Sequence, residues 1–322
     1  MKSQDFTYAV SRIRIKETKL LKRKEIGRLI AQQDYNSLLR VLAEFGYNCK
    51  NSTDISEVLS LEQRKLWALM EELVDDMSVF DVFRIQNDYH NLKASVKSVY
   101  CDTSAESILV SGGTLAGDFI YECVKNRDYQ ELPSRLSETA SKAMDVLLKT
   151  GDGQLCDIII DKASLDALSD FADNVQHKVI KDYAELYIAS ANIKIAVRGS
   201  KLNKSPEFFG KALAECKSLN KELLAKSATK GFDEICVYLS KTKYKDCVEY
   251  IKKSMSSFEK WCDDLITKGL GNQKYEPFNI GPLVAYILAK QNEIKAVRLI
   301  LISKINGLDE SKVNERIREM YE

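Results

Sequence analysis

The stretch DYAELYIASANIKIAVRGS, residues 182–200, has apolar residues at helical spacing around an Asn192-Ile193-Lys194 that has two relatives in the chain. Asn91-Leu92-Lys93 and Glu293-Ile294-Lys295 stand 101 residues upstream and downstream of it. A helix written three times at equal intervals predicts an internal repeat, and repeats decide a fold before local propensity does.

Each copy carries an apolar seam. Ile85, Tyr89, Leu92, Val96 and Val99 advance by alternating steps of four and three; Leu186, Ile193 and Val197 take the matching places, and Ile287 and Ile294 take them in the third copy. After Lys295 the third stripe passes to Val297 and Leu301. Such a seam suits a helix packed along a neighbour.

A second pattern alternates with the first. Ile26, Asp34-Tyr35, Leu38 and Leu42 recur as Ile120, Asp128-Tyr129, Leu132 and Leu136, and again as Ile235, Lys243-Tyr244, Cys247 and Ile251, with the same internal spacings. These positions form one helical stripe, or two short helices joined near the Asp/Lys-Tyr pair. The reading is three similar helical lobes, 1–104, 105–205 and 206–322, each near the size of one domain. They can stack as a solenoid or close around a pseudo-threefold axis, and the spacing does not choose.

Composition agrees with an all-α chain. Only 14 Gly and 4 Pro among 322 residues leave little punctuation for the turns of a β fold. Asp54-Ile-Ser-Glu57 and Thr103-Ser-Ala-Glu106 read as capping boxes opening helices, and Thr114 reads as an N-cap inside Ser111–Gly117. Leu155–Ile160 is short and apolar enough for a strand, but a helix continuing through DKASLDALSDFA fits its length better.

The chain offers little chemistry. No Gly-x-x-x-x-Gly-Lys, Gly-x-Gly-x-x-Gly, His-Glu-x-x-His or Gly-x-Ser-x-Gly occurs, and Ser111–Gly117 lacks the lysine of a phosphate loop. The Gly-Asp-Gly at 151–153 lacks the further oxygens of a calcium loop and reads as a turn. Eight cysteines without a Cys-x-x-Cys pair, and only two histidines, His90 and His177, argue against zinc or redox work. Glu71-Glu72 and Asp75-Asp76 read as solvated pairs. No catalytic residue, cofactor or metal is expected.

Charge is balanced, 48 basic against 47 acidic, so no global field points to nucleic acid. Locally, Lys93 and Lys97, Lys194 and Arg198, and Lys295 and Arg298 place two cations on one helical side in every lobe. Either this is a solvated face or it is a repeated basic rim that grips an acidic or polar partner. The N-terminal run Arg12 to Lys24 is basic too, with Phe6, Val10, Ile13 and Leu20 as its core side. No window reaches the ~20 apolar residues of a membrane span, and no signal-like segment opens the chain, so a cytosolic protein is expected.

The start DFTYAVSRIRIKETKLL, the pair NDYHNLKASVKSVY and DYAELYIASANIKIAVRG, and above all the segment Pro282–Tyr321 resemble the C subunit of bacterial and archaeal V-type ATPases, the counterpart of the vacuolar d subunit. The resemblance runs essentially end to end. It implies three similar helical lobes arranged as a funnel-like socket, with no catalytic or nucleotide-binding residues. It further implies a rotor component between the D and F subunits of the shaft and the membrane ring of proteolipid subunits, transmitting torque for proton or sodium transport. That role places one copy of the chain in a hetero-oligomeric complex, peripheral, on the cytoplasmic side of the membrane. The alternative is an all-helical adaptor or scaffold unrelated to a rotary ATPase. Lys243 and Glu293 depart from the residues at their repeat positions, so equivalent positions need not make equivalent contacts.

Overall fold

A computed structural model describes residues 6–49, 54–269 and 271–321. Its elements run, in chain order, α1 Thr7–Glu17, α2 Arg23–Ile30, α3 Tyr35–Glu44, α4 Ile55–Leu73, α5 Asp81–Tyr100, α6 Gly117–Asn126, α7 Ser134–Thr150 and α8 Gly153–Asn174. They continue with α9 Lys178–Lys201, α10 Pro206–Ala212, α11 Lys221–Lys230, α12 Phe232–Ser240, α13 Cys247–Lys253, α14 Met255–Gly269, α15 Gly281–Ile305 and α16 Glu310–Arg316. Three short 3-10 turns complete the regular structure, and no strand occurs among the described residues. The protein is all-α.

The chain divides into two compact units, residues 1–77 with 249–322 and residues 78–248, the second boundary falling within α13. In the first unit α15 packs on α1, α2, α3 and α4, so the last long helix is the post around which the first four gather. In the second, α5 packs on α6, α7 and α8, and α9 on α8, α10, α11 and α12.

The alternating pattern marks both cores. Ile26, Leu38 and Leu42 are wholly buried together with Ile294, Val297 and Leu301 of α15. Ile120, Leu132 and Leu136 are buried with Tyr89, Leu92 and Val96 of α5. In the first the pattern is two short helices joined at a turn, and in the second it runs from α6 through the 3-10 turn Tyr129–Glu131 into α7. Asp34 forms the joint by accepting a hydrogen bond from the Ser37 amide at 2.9 Å, which ends one helix and caps the next.

Other start signals divide. Asp54 caps α4 by accepting from the Ser56 amide, and Asp152 caps α8 by accepting from Gln154 and Leu155, each bond 2.9 Å, so Leu155–Ile160 is helical, and Gly151 and Asp152 are the connection between α7 and α8, which starts at Gly153. Thr103–Glu106 starts no helix, and the next begins at Gly117, with Ala116 rather than Thr114 before it. Residues 105–109 close a turn of their own on the Ala105 carbonyl, and the backbone from 110 to 115 is held by side chains of α5, as described below. Likewise the basic N-terminal run is two helices, broken at 18–22, although Phe6, Val10, Ile13 and Leu20 are buried as expected.

Deleting buried methylenes from these cores should be costly. Leu38→Ala is expected to lower stability by about 2–5 kcal/mol, whereas Leu148→Ala, at a side chain 52% exposed, should change it by less than about 0.5 kcal/mol. Paired urea midpoints check the difference.

Candidate functional site

The positions that announce the repeat are buried polar residues. Asn91, Asn192 and Glu293 are 0%, 1% and 1% exposed, each inside a long helix. Burial of an amide or carboxylate requires partners, and the partners are chain segments outside helices.

Asn91 donates from Nδ2 to the Val110 carbonyl at 2.9 Å and accepts the Val110 amide at 2.8 Å. Asn192 does the same to Ala214, donating at 2.8 Å and accepting at 3.0 Å. Two turns earlier in each helix a charged side chain grips the strap three residues further along. Arg84 donates to the Gly113 carbonyl, through Nη2 at 2.8 Å, while Glu185 accepts the amides of Lys217 at 3.1 Å and Ser218 at 2.7 Å. The straps share one register on their helices and run antiparallel to them, with opposite hydrogen-bond polarity at the outer grip.

On α5 the grip is denser. Asn87 donates to the carbonyls of Ser111 and Gly112, and Asp88 accepts from Thr114 Oγ1 and the Leu115 amide. Burial pushes the Asp88 carboxyl above its ordinary range, against the bonds from Thr114 and Leu115 that favour its charge. Gly113 lies so close to this carboxylate that a Cβ there would collide with it. Gly113 and Gly117 therefore serve close packing and Gly112 a positive φ of 83°, and a carboxylate stands where a phosphate would need a cation.

The third position differs. Glu293 accepts the Leu21 amide at 2.8 Å and the Tyr47 hydroxyl at 2.7 Å, and it pairs with Lys290 at 2.6 Å. Lys290 also reaches Glu62 of α4 at 2.9 Å and lies over the Tyr47 ring, while Lys65 reaches Glu62 at 2.6 Å. This cluster ties α4, α15, the turn after α3 and the break between α1 and α2. Burial opposes the Lys290 charge, yet Glu293 and Glu62 outweigh it and hold its pKa above the ordinary lysine value. Burial, then the Glu293 charge, drives the Tyr47 phenol well above its usual range.

The six cations of the sequence pattern do not share one environment. Lys93 pairs with Asp161 of α8, and Lys97 with Asp157 at 2.7 Å, joining α5 to α8. Lys194 is half-buried, and Arg198, Lys295 and Arg298 are exposed. Asp157 and Asp161, four apart like their lysines, were the unread complement. Sequence reasoning also passed over Lys290, Glu62 and the hydrogen-bonding role of the asparagines; the equal spacing was the one signal of it.

Glu71, Glu72, Asp75 and Asp76 are exposed, and Glu72 pairs with Arg12 at 2.6 Å. His90 contacts the Ile108 carbonyl at 3.3 Å, on the same strap. Burial lowers the pKa of His177, which immediately precedes α9. Among the described residues, no three His, Cys, Asp or Glu side chains gather to hold a metal ion, and no helix is long and apolar enough to cross a membrane.

Two expectations follow. Asn192→Ala strands the amide and carbonyl of Ala214, at about 1–3 kcal/mol for each group, and hydrogen exchange at that amide should accelerate with the fall in denaturation midpoint. Lys290→Met leaves Glu62 and Glu293 buried without their shared cation and should cost about 3–5 kcal/mol. The raised pKa values of Lys290 and Tyr47 make their contribution fully present below the unfolded-state values, near pH 10, and lost as pH rises through the folded ones. Alkaline titration of the wild type should show this loss, and Lys290→Met should flatten it.

The sequence model of the ATP synthase (C/AC39) subunit family matches residues 9–316. The chain is 20% identical to the C subunit of the V-type sodium ATPase of Enterococcus hirae, over 96% of this chain and 97% of that one. It is 24% identical to the C subunit of the A-type ATP synthase of Methanocaldococcus jannaschii, over 96% of this chain and 85% of the relative. With the C subunit of the V-type ATP synthase of Thermus thermophilus it shares 22% identity over 98% of this chain and 99% of the other. A match from the first helix to the last, on an all-helical chain, places this protein in the ATP synthase (C/AC39) subunit family.

Proposed function

We propose that the chain is the C subunit of a V- or A-type rotary ATPase, a non-catalytic part of the central stalk. It links the D and F subunits of the shaft to the membrane proteolipid ring and passes torque between them during ATP-coupled ion transport. The end-to-end family match carries this reading. In it the chain works peripherally, on the cytoplasmic side of the membrane, as one copy in the complex.

The physical logic is that of an adaptor. A helical shaft cannot seat directly in the wide mouth of a lipid-filled ring, so an intermediate body must offer one surface to each. Torque demands that such a body be stiff, and close-packed helices with internally satisfied polar groups supply stiffness. The three-lobed division 1–104, 105–205 and 206–322 is retained in this proposal. The paired strap geometry of Asn91 and Asn192 supports it for the first two helices of the repeat.

Of the repeated cations, Lys93 and Lys97 already hold α8, whereas Arg198, Lys295 and Arg298 are exposed and are proposed as polar contacts to neighbouring subunits. Rim charges of this kind set register and association rate more than raw affinity. The full chain should co-purify with the shaft and ring components from native membranes. Reversing Arg198, Lys295 and Arg298 together to Glu is expected to weaken that assembly by about tenfold or more while circular dichroism stays unchanged. Recovery of neither partner refutes the adaptor reading; undiminished assembly of the triple variant returns these cations to a solvated face.

A further inference from the structure

The C-terminal end of α15 shows an apolar face to water. Ile302, Ile305 and Leu308 are all exposed, Ile305 by 58%, and Leu299 is half-buried one turn before them. Among the described residues, other exposed large apolar side chains stand singly or in pairs along the chain. Scattered exposure of that kind is ordinary for a surface, whereas a contiguous apolar run marks an interaction site.

Helical geometry makes these positions one surface. At 3.6 residues per turn, Lys295, Arg298, Leu299, Ile302 and Ile305 fall within about a third of the circumference. Val297, Ile300 and Leu301, on the remainder, are buried in the core with Ile26, Leu38 and Leu42. The close of the helix extends the face. Gly307, at a φ of 62°, bonds its amide to the Lys304 carbonyl at 3.4 Å, and the Leu308 amide bonds the Ser303 carbonyl at 2.9 Å, which turns Leu308 back toward the last helical turn. Arg298 stands at one end of this ridge. Beyond Leu308, at the other end, stand the exposed Asp309 and Glu310, against Lys312.

A ridge of aliphatic side chains at steps of three and four is what a second helix packs against, and charges of opposite sign at its ends give that helix a direction. An anionic lipid surface would meet the carboxylates of Asp309 and Glu310, and it is repelled there. The water-facing edge of a membrane ring consists of connections between spanning helices, which offer no long ridge. Granted the adaptor role stated above, we propose that this face seats one amphipathic helix of the shaft. Its apolar stripe covers Leu299, Ile302, Ile305 and Leu308, and it carries a carboxylate opposite Arg298.

Recovery of neighbouring subunits with the tagged full chain from native membranes tests the seat. Benzoylphenylalanine in place of Ile305, once irradiated, should form its adduct with a shaft component. Ile302→Asp with Ile305→Asp should lower recovery of the shaft by about tenfold or more while recovery of the ring stays within about twofold. Leu148→Asp, at an exposed position of α7, should leave both unchanged. Ile305→Lys, at the most exposed of the four side chains, is expected to give the same selective loss and stands in if the double variant fails to fold. Absence of a shaft adduct, an adduct with the ring, a lipid or a second copy of this chain, undiminished recovery of the shaft, or an equal loss in Leu148→Asp would each overturn the proposal and leave the adaptor reading intact. Recovery of neither shaft nor ring with the unaltered chain would sink both.

Discussion

A polar group taken out of water inside helical packing must be satisfied there, and this chain meets that requirement at three equally spaced positions. Asn91 and Asn192 each spend one side-chain amide on both backbone groups of a single strap residue. A side chain with one donor end and one acceptor end is the natural match for a peptide unit, and neither leucine nor glutamate could replace it there. The straps thereby lie against long helices without forming helix or sheet of their own. Glu293 answers a different demand, an amide and a hydroxyl without a carbonyl, and its negative charge then requires Lys290.

The sequence was readable where pattern and packing coincide. Tyr89, Leu92 and Val96 of the α5 seam and the alternating Ile/Leu positions are buried as their spacing predicts, and Asp54 caps the helix it precedes. It was unreadable where the partner of a side chain is backbone, because a peptide group leaves no mark on composition. Thr103–Glu106 has the letters of a capping box, yet the segment that follows is drawn onto Asn87, Asp88 and Asn91. The gathering of α1 to α4 around α15 was hidden for another reason. Its contacts join positions far apart in the chain, and each helix taken alone shows only that it has an apolar face.

The basic pattern illustrates the same limit. Repetition at three sites suggested one role, but Lys93 and Lys97 meet aspartates on α8 while Arg198, Lys295 and Arg298 face outward. Equal spacing preserves the direction in which a side chain leaves its helix, whereas the surroundings of that helix decide what it meets there. The buried cluster of Glu62, Lys290 and Glu293 involves groups of both signs whose desolvation is repaid only in one arrangement. Such a cluster favours a single geometry over near alternatives.

The unit built from residues 1–77 and 249–322 sets an order of events during synthesis. Its first four helices leave the ribosome before α15 exists, with Ile26, Leu38 and Leu42 lacking the helix that buries them. At ordinary elongation rates the intervening residues 78–248 take roughly ten seconds or more to emerge. They can fold as their own unit in that interval, while the N-terminal helices wait with apolar surface open to chaperones or to misassociation. The emergence of α15 thus acts as the trigger that closes the oldest part of the chain.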